Sequence, residues 1–222
     1  MEFEVTKIKK QLKKIKDKPP TILILGGSFN PVHTMHIHSF EVVKKHLESI
    51  GEEFVLAGFL IPSSNFHVHY KLDKDAIDLK HRNNLIELSI KSNNWIINYP
   101  IGEVNAFKAA KTIIEQLKNK FPKELSNLTF KFICGADFAI NCGLYCYDNV
   151  ISLAREQYTK ELLKEKKNFN KKFILLEHEE MKDVSSTLVR EKLKNKEKID
   201  ESILHIDVTK YLMKNFDNLG CE

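Results

Sequence analysis

Short β-prone apolar runs alternate along the chain with amphipathic stretches, and this alternation constrains the fold more than any other feature. The apolar runs predict strands over 21–25, 53–62, 95–99, 128–137, 149–155 and 171–177. Apolar residues at helical spacing predict helices near 34–50, 78–92, 106–121, 158–167, 186–195 and 207–216. The polar stretch 63–77 predicts a loop.

Strands that alternate with helices imply βαβ units with right-handed crossovers. We therefore predict an α/β fold: a Rossmann-like, doubly wound parallel sheet with helices on both faces and a small C-terminal helical part. One domain is expected over 21–222, after a basic N-terminal extension over 1–20 that we interpret as a solvated flank. In such sheets ligands bind beyond the carboxyl ends of the strands, so each loop that follows a strand is a candidate site.

The composition is that of a globular protein rather than a disordered chain, with 42% hydrophobic and 29% charged residues. A net charge of +5 is compatible with polyanionic small molecules, and we expect neither nucleic acid nor membrane as a partner. No apolar run is long enough for a bilayer, and the Lys-rich N-terminus lacks a secretory apolar segment. The four cysteines form no CxxC pair, which favours reduced thiols. A cytoplasmic protein is expected, with the nucleus as the alternative.

The loop after the first predicted strand has the features of an anion site. Gly26 and Gly27 allow the backbone to approach a ligand closely, and the helix that begins near Thr34 directs its N–H groups into the same loop. His33 and His36 are three residues apart at the helix start, so both can reach one phosphate. Neither GxxxxGK[ST] nor GxGxxG occurs. Zinc is the weaker alternative, because no acidic or thiol side chain lies nearby in sequence, and we predict no metal ligated by the protein itself.

A second anion site is predicted near residues 181–193. Ser185 or Ser186 can cap the helix that follows, and Arg190 lies one turn further, where its guanidinium can bind phosphate oxygens in a forked geometry. Two anion sites on distant segments suggest the two ends of a polyphosphate.

These stretches carry a resemblance to a known family. "GSFNPVHTMH" resembles the GSFDPxHxGH signature of the nucleotidyltransferase superfamily, and "DVSSTLVREKL" resembles its ISSTxxR signature. "FICGAD" and the pair Asn94-Trp95 resemble segments of one branch, the nicotinate/nicotinamide mononucleotide adenylyltransferases. The resemblance implies an enzyme that joins a mononucleotide to the AMP part of ATP and releases pyrophosphate, with Mg²⁺ bound together with ATP.

The resemblance also implies roles for individual residues. Those expected to act in catalysis are His33, His36 and Arg190. Those expected to bind ATP are Gly26, Gly27, Ser28, Phe29, Gly135, Asp137, Ser185, Ser186 and Thr187. Those expected to bind the mononucleotide are Lys71, Trp95, whose ring would stack on the pyridine, and Arg155.

Some positions depart from the family pattern. Met35 stands where many members have glycine, and the stretch after Asp137 lacks the usual tryptophan. Nicotinate mononucleotide is favoured over nicotinamide mononucleotide, because the histidine pair resembles bacterial members. The alternatives are another adenylyl- or cytidylyltransferase of the superfamily and a nucleotide-binding module without turnover. Whether the chain forms a homo-oligomer stays open.

Overall fold

Six parallel strands form one sheet in the part of the chain that the computed structural model describes, residues 5–15, 17–103, 105–177 and 184–220. The strands are β1 (Pro20–Gly27), β2 (Phe54–Pro62), β3 (Ile96–Asn98), β4 (Thr129–Gly135), β5 (Val150–Leu153) and β6 (Ile174–Leu176). Their order across the sheet is β3-β2-β1-β4-β5-β6. The predicted doubly wound parallel sheet is confirmed.

Helices cover both faces of this sheet. They are α1 (Val5–Leu12), α2 (Thr34–Ile50), α3 (Asn65–Leu72), α4 (Leu79–Ser89), α5 (Ala106–Lys120), α6 (Ala136–Asn141), α7 (Glu156–Lys164), α8 (Ser186–Lys194) and α9 (Ile206–Asn215).

The sequence analysis missed α3 and α6. The stretch predicted as a polar loop contains α3, whose first turn is capped where the Ser64 hydroxyl accepts a hydrogen bond from the His67 N–H. The prediction was wrong because α3 buries a single apolar residue, Val68, and therefore shows no apolar periodicity. Helix α6 begins directly after Gly135, where the sequence over 128–137 predicts a strand that enters a turn.

Two hydrophobic clusters, one on each face of the sheet, form the core. Alternate residues of β1 enter opposite clusters: Leu23 and Leu25 pack on one face, Ile22 and Ile24 on the other. The first face is covered by α2, α4, α8 and α9, and the second by α1, α5, α6 and α7. A strand buried on both faces reads as a continuous apolar run, as β1 does.

Helix α1 packs on the sheet and is not a solvated flank, so that interpretation was wrong. Ile8 is 0% exposed within the second cluster. Lys7 Nζ donates to the carbonyl of Ile96 on the edge strand β3 at 2.9 Å. Lys7, a basic residue of this helix, therefore supplies the hydrogen bond that the Ile96 carbonyl of the sheet needs. No helix in the described ranges has both the length and the apolar character needed to cross a bilayer.

The strand order reverses at β1, which lies between β2 and β4. The chain first moves outward from β1 to β2 and β3, and then returns to β4 on the other side of β1. The connections that leave β1 and β4 diverge at such a point and open a crevice at the carboxyl ends of the strands.

Candidate active site

A cavity of about 690 Å³ lies at this crevice. The predicted site residues that line it are Gly26, Gly27, Ser28, Phe29, His33, His36, Lys71, Gly135, Asp137, Arg155, Ser186, Thr187 and Arg190. Ser185 caps α8 next to the cavity, and Trp95 lies elsewhere. The structure thus brings together residues from both ends of the sequence, as the two predicted anion sites require.

Gly26 is where β1 meets the start of α5. A Cβ at this position would lie 2.6 Å from the Cβ of Ala106, the first residue of α5, so a larger residue would push the helix away. The next residue, Gly27, accepts a hydrogen bond from Ser63 N–H at 2.9 Å, which ties the loop after β1 to the end of β2. Gly26 therefore allows α5 to pack directly against the end of β1, beside the cavity.

His33 and His36 stack on each other at the start of α2. Their ring centroids are 3.6 Å apart, and the edge of Phe29 contacts His36 with the centroids 4.9 Å apart. The His33 backbone N–H donates to His36 Nδ1 at 3.0 Å. Because Nδ1 of His36 is an acceptor, the proton of the neutral ring is on Nε2.

Both histidines are neutral at physiological pH. Burial, with a smaller contribution from the Arg155 guanidinium, lowers the pKa of His33 from 6.5 to about 4. Burial, the neighbouring His33 and Arg155 hold the pKa of His36 well below its usual range. Each ring therefore presents one N–H donor rather than a positive charge.

Helix α8 is attached to the loop after β1 through main-chain carbonyls. Ser186 Oγ donates to the Pro31 carbonyl at 2.8 Å, and Arg190 Nη1 donates to the Asn30 carbonyl at 2.9 Å. Arg190 Nη2 also donates to Thr187 Oγ1 at 3.2 Å. The Ser185 hydroxyl accepts from Leu188 N–H, so it is the predicted cap of α8. The Ser186 proton is used in this contact, which gives Ser186 a docking role in addition to its predicted one.

Asp137, Arg155 and Lys71 also line the cavity. Gly135 precedes α6 closely enough that a Cβ there would lie 2.5 Å from Asp137 Oδ1. Arg155 is the residue before α7, and Lys71 is in the last turn of α3. A cation thus faces the cavity from each of two elements besides α8.

Trp95 belongs to the core, which corrects the assignment of its ring to substrate stacking. It is 4% exposed and packs within the first cluster, with its ring edge-on to Phe40. Its Nε1 donates to Glu41 Oε1 at 3.1 Å, and Lys44 Nζ lies 4.4 Å from its ring centroid. The register of β3 turns this side chain into the face covered by α2, away from the cavity.

Sequence reasoning also missed Arg82, a fully buried cation on α4. Its Nε donates to the Ile77 carbonyl at 2.8 Å, and its Nη1 donates to the carbonyls of Ser28 at 3.0 Å and Ser63 at 2.8 Å. Arg82 therefore fixes the loop after β1 against the end of β2. No sequence signal distinguishes it from a surface arginine, because its partners are main-chain oxygens of distant segments.

The cavity suits a metal that arrives with a polyanion better than a resident ion. Among the described residues, no group of three or more His, Cys, Asp or Glu side chains is placed to hold a metal. The carboxylates that line the cavity are Asp137 and Glu103. Mg²⁺ commonly keeps several waters and binds through substrate phosphates with one or two carboxylates, and this donor set fits that mode.

A Rossmann-like sheet with a donor-rich cavity at its switch point defines an α/β nucleotide-binding protein. The chain belongs to the cytidylyltransferase-like family, whose model matches residues 24–192.

Similar proteins point to one branch of that family. A protein of Clostridium botulinum (strain Alaska E43 / Type E3), named "Probable nicotinate-nucleotide adenylyltransferase", is 29% identical over 190 residues, covering 80% of this chain and 88% of its own length. The Bos taurus "Nicotinamide/nicotinic acid mononucleotide adenylyltransferase 1" is 32% identical over 80 residues, 36% of this chain and 27% of its own. The solved structure of Plasmodium falciparum nicotinic acid mononucleotide adenylyltransferase complexed with NaAD has the same fold, with a TM-score of 0.56 at 19% identity, covering 91% of this chain and 100% of that one.

Proposed function

We propose that this protein is an adenylyltransferase that joins nicotinate mononucleotide to the AMP moiety of ATP, giving nicotinate adenine dinucleotide and pyrophosphate. Nicotinamide mononucleotide is the second candidate substrate, with NAD as the product. The observation that carries the proposal is the contact between Arg190 and the Asn30 carbonyl, which brings the last predicted anion site onto the first at one cavity. The names of the clostridial, bovine and plasmodial proteins support the same reaction.

The reaction requires no covalent enzyme intermediate. The 5′-phosphate oxygen of the mononucleotide attacks the α-phosphorus of ATP, a P–O bond forms, and the bond to pyrophosphate breaks. The protein must hold two mutually repelling anions in contact and stabilise the charge that grows on the phosphate oxygens. Hydrogen-bond donors and cations suit this task, and the cavity is lined with them.

The two histidines contribute neutral donors to the triphosphate in this proposal. His36 carries its proton on Nε2 because Nδ1 accepts from the His33 backbone. His33 lines the cavity beside it, and its neutral ring has one N–H that can be donated to a phosphate. Arg190 and Thr187 bind the far end of the triphosphate, and the Gly26–Phe29 loop accommodates adenosine and phosphates.

Lys71 and Arg155 bind the anionic groups of the mononucleotide, and Asp137 holds a ribose hydroxyl of ATP. Trp95 takes no part. Mg²⁺ would enter with ATP and would offset negative charge on the phosphates, and the cavity carboxylates that could hold it through water are those of Asp137 and Glu103.

Steady-state kinetics with a panel of substrates test this proposal. The purified protein is incubated with ATP or CTP, and with nicotinate mononucleotide, nicotinamide mononucleotide or phosphopantetheine, while pyrophosphate is measured. Turnover is expected with ATP and nicotinate mononucleotide. His36→Ala lowers kcat by about 10²-fold or more, because removing a preorganised donor to developing charge has this effect. Arg190→Ala chiefly raises the KM for ATP, and His69→Ala, an exposed histidine of α3, is the matched control.

Each other outcome is informative. Turnover with CTP or phosphopantetheine alone would assign the chain to another branch of the family. Nucleotide binding without turnover on any pair would indicate a binding module. Full turnover of the His36→Ala variant at saturating ATP would contradict the role of that histidine.

A further inference from the structure

The carboxylate of Asp75 lies between two cations of α8. Asp75 Oδ1 is 2.7 Å from Lys194 Nζ, and its Oδ2 is 3.9 Å from Arg190 Nε. Asp75 ends the short 3₁₀ turn Asp73–Asp75 that follows α3. This carboxylate is therefore the anion that meets the cavity-lining Arg190 in the protein without substrate.

Two nitrogens of the Arg190 guanidinium make hydrogen bonds, and Nε is buried without a hydrogen-bond partner in the described part of the chain. Nη1 donates to the Asn30 carbonyl at 2.9 Å, and Nη2 donates to Thr187 Oγ1 at 3.2 Å. The third nitrogen, Nε, faces Asp75. The Arg190 side chain is only 14% exposed, so a guanidinium held in this way keeps one orientation toward the cavity.

Asp75 is itself held by backbone contacts that do not involve Arg190. Asn30 Nδ2 donates to the Asp75 carbonyl at 2.7 Å, and Asn30 Oδ1 accepts from the Ile77 N–H at 2.7 Å. The same segment is fixed by Arg82 Nε at the Ile77 carbonyl and by the hydrogen bond from Asp78 N–H to the Leu219 carbonyl. Asparagine suits position 30 because its side chain both donates and accepts, which a carboxylate cannot do. The position of the Asp75 carboxylate is thus set independently of Arg190.

We propose that Asp75 is a positioning residue for Arg190, and that its charge lowers the affinity for ATP while it raises the rate. This inference rests on the proposed function. The carboxylate repels the triphosphate, so it weakens ground-state binding. It also keeps the guanidinium in one orientation, and a preorganised charge stabilises the transition state more than a mobile one does. Lys194 neutralises part of the carboxylate charge and limits the repulsion.

Asp75→Asn is the informative change, because it removes the charge and keeps the shape. The dissociation constant of Mg-ATP, measured by titration calorimetry, is expected to fall about two- to fivefold, the range of a partly exposed ion pair. The kcat is expected to fall by a similar factor. Opposite effects on affinity and rate distinguish positioning from simple damage to the fold, which would weaken both.

Three further variants complete the test. Glu197→Gln removes a carboxylate that pairs with Lys192, also on α8, at 2.8 Å, and it should leave ATP affinity and kcat unchanged. Asp75→Glu keeps the charge and should keep the affinity within about twofold. In an Arg190→Ala background, Asp75→Asn should no longer lower kcat, because the guanidinium that Asp75 positions is gone, whereas its effect on ATP affinity through direct repulsion should remain. Asp75→Ser takes the place of Asp75→Asn if the latter fails to fold.

The inference is overturned if Asp75→Asn weakens or does not change ATP binding, or if it still lowers kcat when Arg190 is absent. Failure of the proposed function has a different signature: the wild-type protein binds Mg-ATP but makes no dinucleotide. In that case titration calorimetry of the Asp75 variants still tests the effect of Asp75 on the affinity for Mg-ATP.

Discussion

Lowering the pH from 7.5 to 5 should reduce the free energy of unfolding by about 2 kcal/mol through His33 alone. The folded-state pKa of His33 is about 4, whereas the ordinary value is 6.5. Between these two values the unfolded chain binds the proton and the folded protein does not. This contribution to stability is therefore present above pH 6.5 and is lost as the pH falls through 4, and the total loss well below pH 4 is about 3.4 kcal/mol. The pKa of His36 is shifted in the same direction and adds to the loss.

Equilibrium unfolding in urea at pH 7.5, 6.5 and 5 measures this loss, with the fluorescence of the buried Trp95 as the probe. His33→Gln cannot titrate, so the difference between pH 7.5 and 5 should shrink by about 2 kcal/mol in this variant. His69→Gln, on the exposed side of α3, should keep the wild-type difference.

Two results would refute the reasoning. One is a wild-type unfolding free energy that is the same at pH 5 and pH 7.5. The other is a His33→Gln variant that loses as much stability on acidification as the wild type, since the proton would then be bound elsewhere.

Three other substitutions test features of the fold. Gly26→Ala should destabilise the protein by about 1–3 kcal/mol in thermal denaturation, because the new Cβ meets Ala106 at 2.6 Å; an unchanged Tm would show that α5 can move away. Arg82→Met should cost at least about 3 kcal/mol, because it leaves the carbonyls that Arg82 binds without donors, and a loss under 1 kcal/mol would mean that water replaces the guanidinium. Trp95→Phe should leave the KM for the mononucleotide within about twofold, since the ring packs in the core; a tenfold rise would return Trp95 to substrate binding.

The parts of the site that the sequence predicts are those encoded by local chemistry. Glycines after a continuous apolar run, histidines three residues apart at a helix start and a serine cap before Arg190 each have a local physical meaning. The alternation of strands and helices then fixes a parallel sheet, and the switch-point rule brings the loops to one crevice. His33, His36 and Arg190 accordingly line one cavity.

The rest depends on contacts that no local pattern records. The orientation of Trp95 depends on the register of β3, which is fixed where Asn93 Oδ1 accepts from the N–H groups of both Trp95 and Ile96. Asp75 lies in a stretch without apolar periodicity, and its importance follows only from its position beside α8.

Helix α8 binds the main chain of the loop after β1 rather than its side chains, because its hydrogen bonds are made to the carbonyls of Asn30 and Pro31. Substitutions that preserve the path of this main chain leave those acceptors in place. Adding or deleting a single residue between Gly27 and His33 would shift both acceptors out of reach. Relatives of this chain should therefore keep one loop length there.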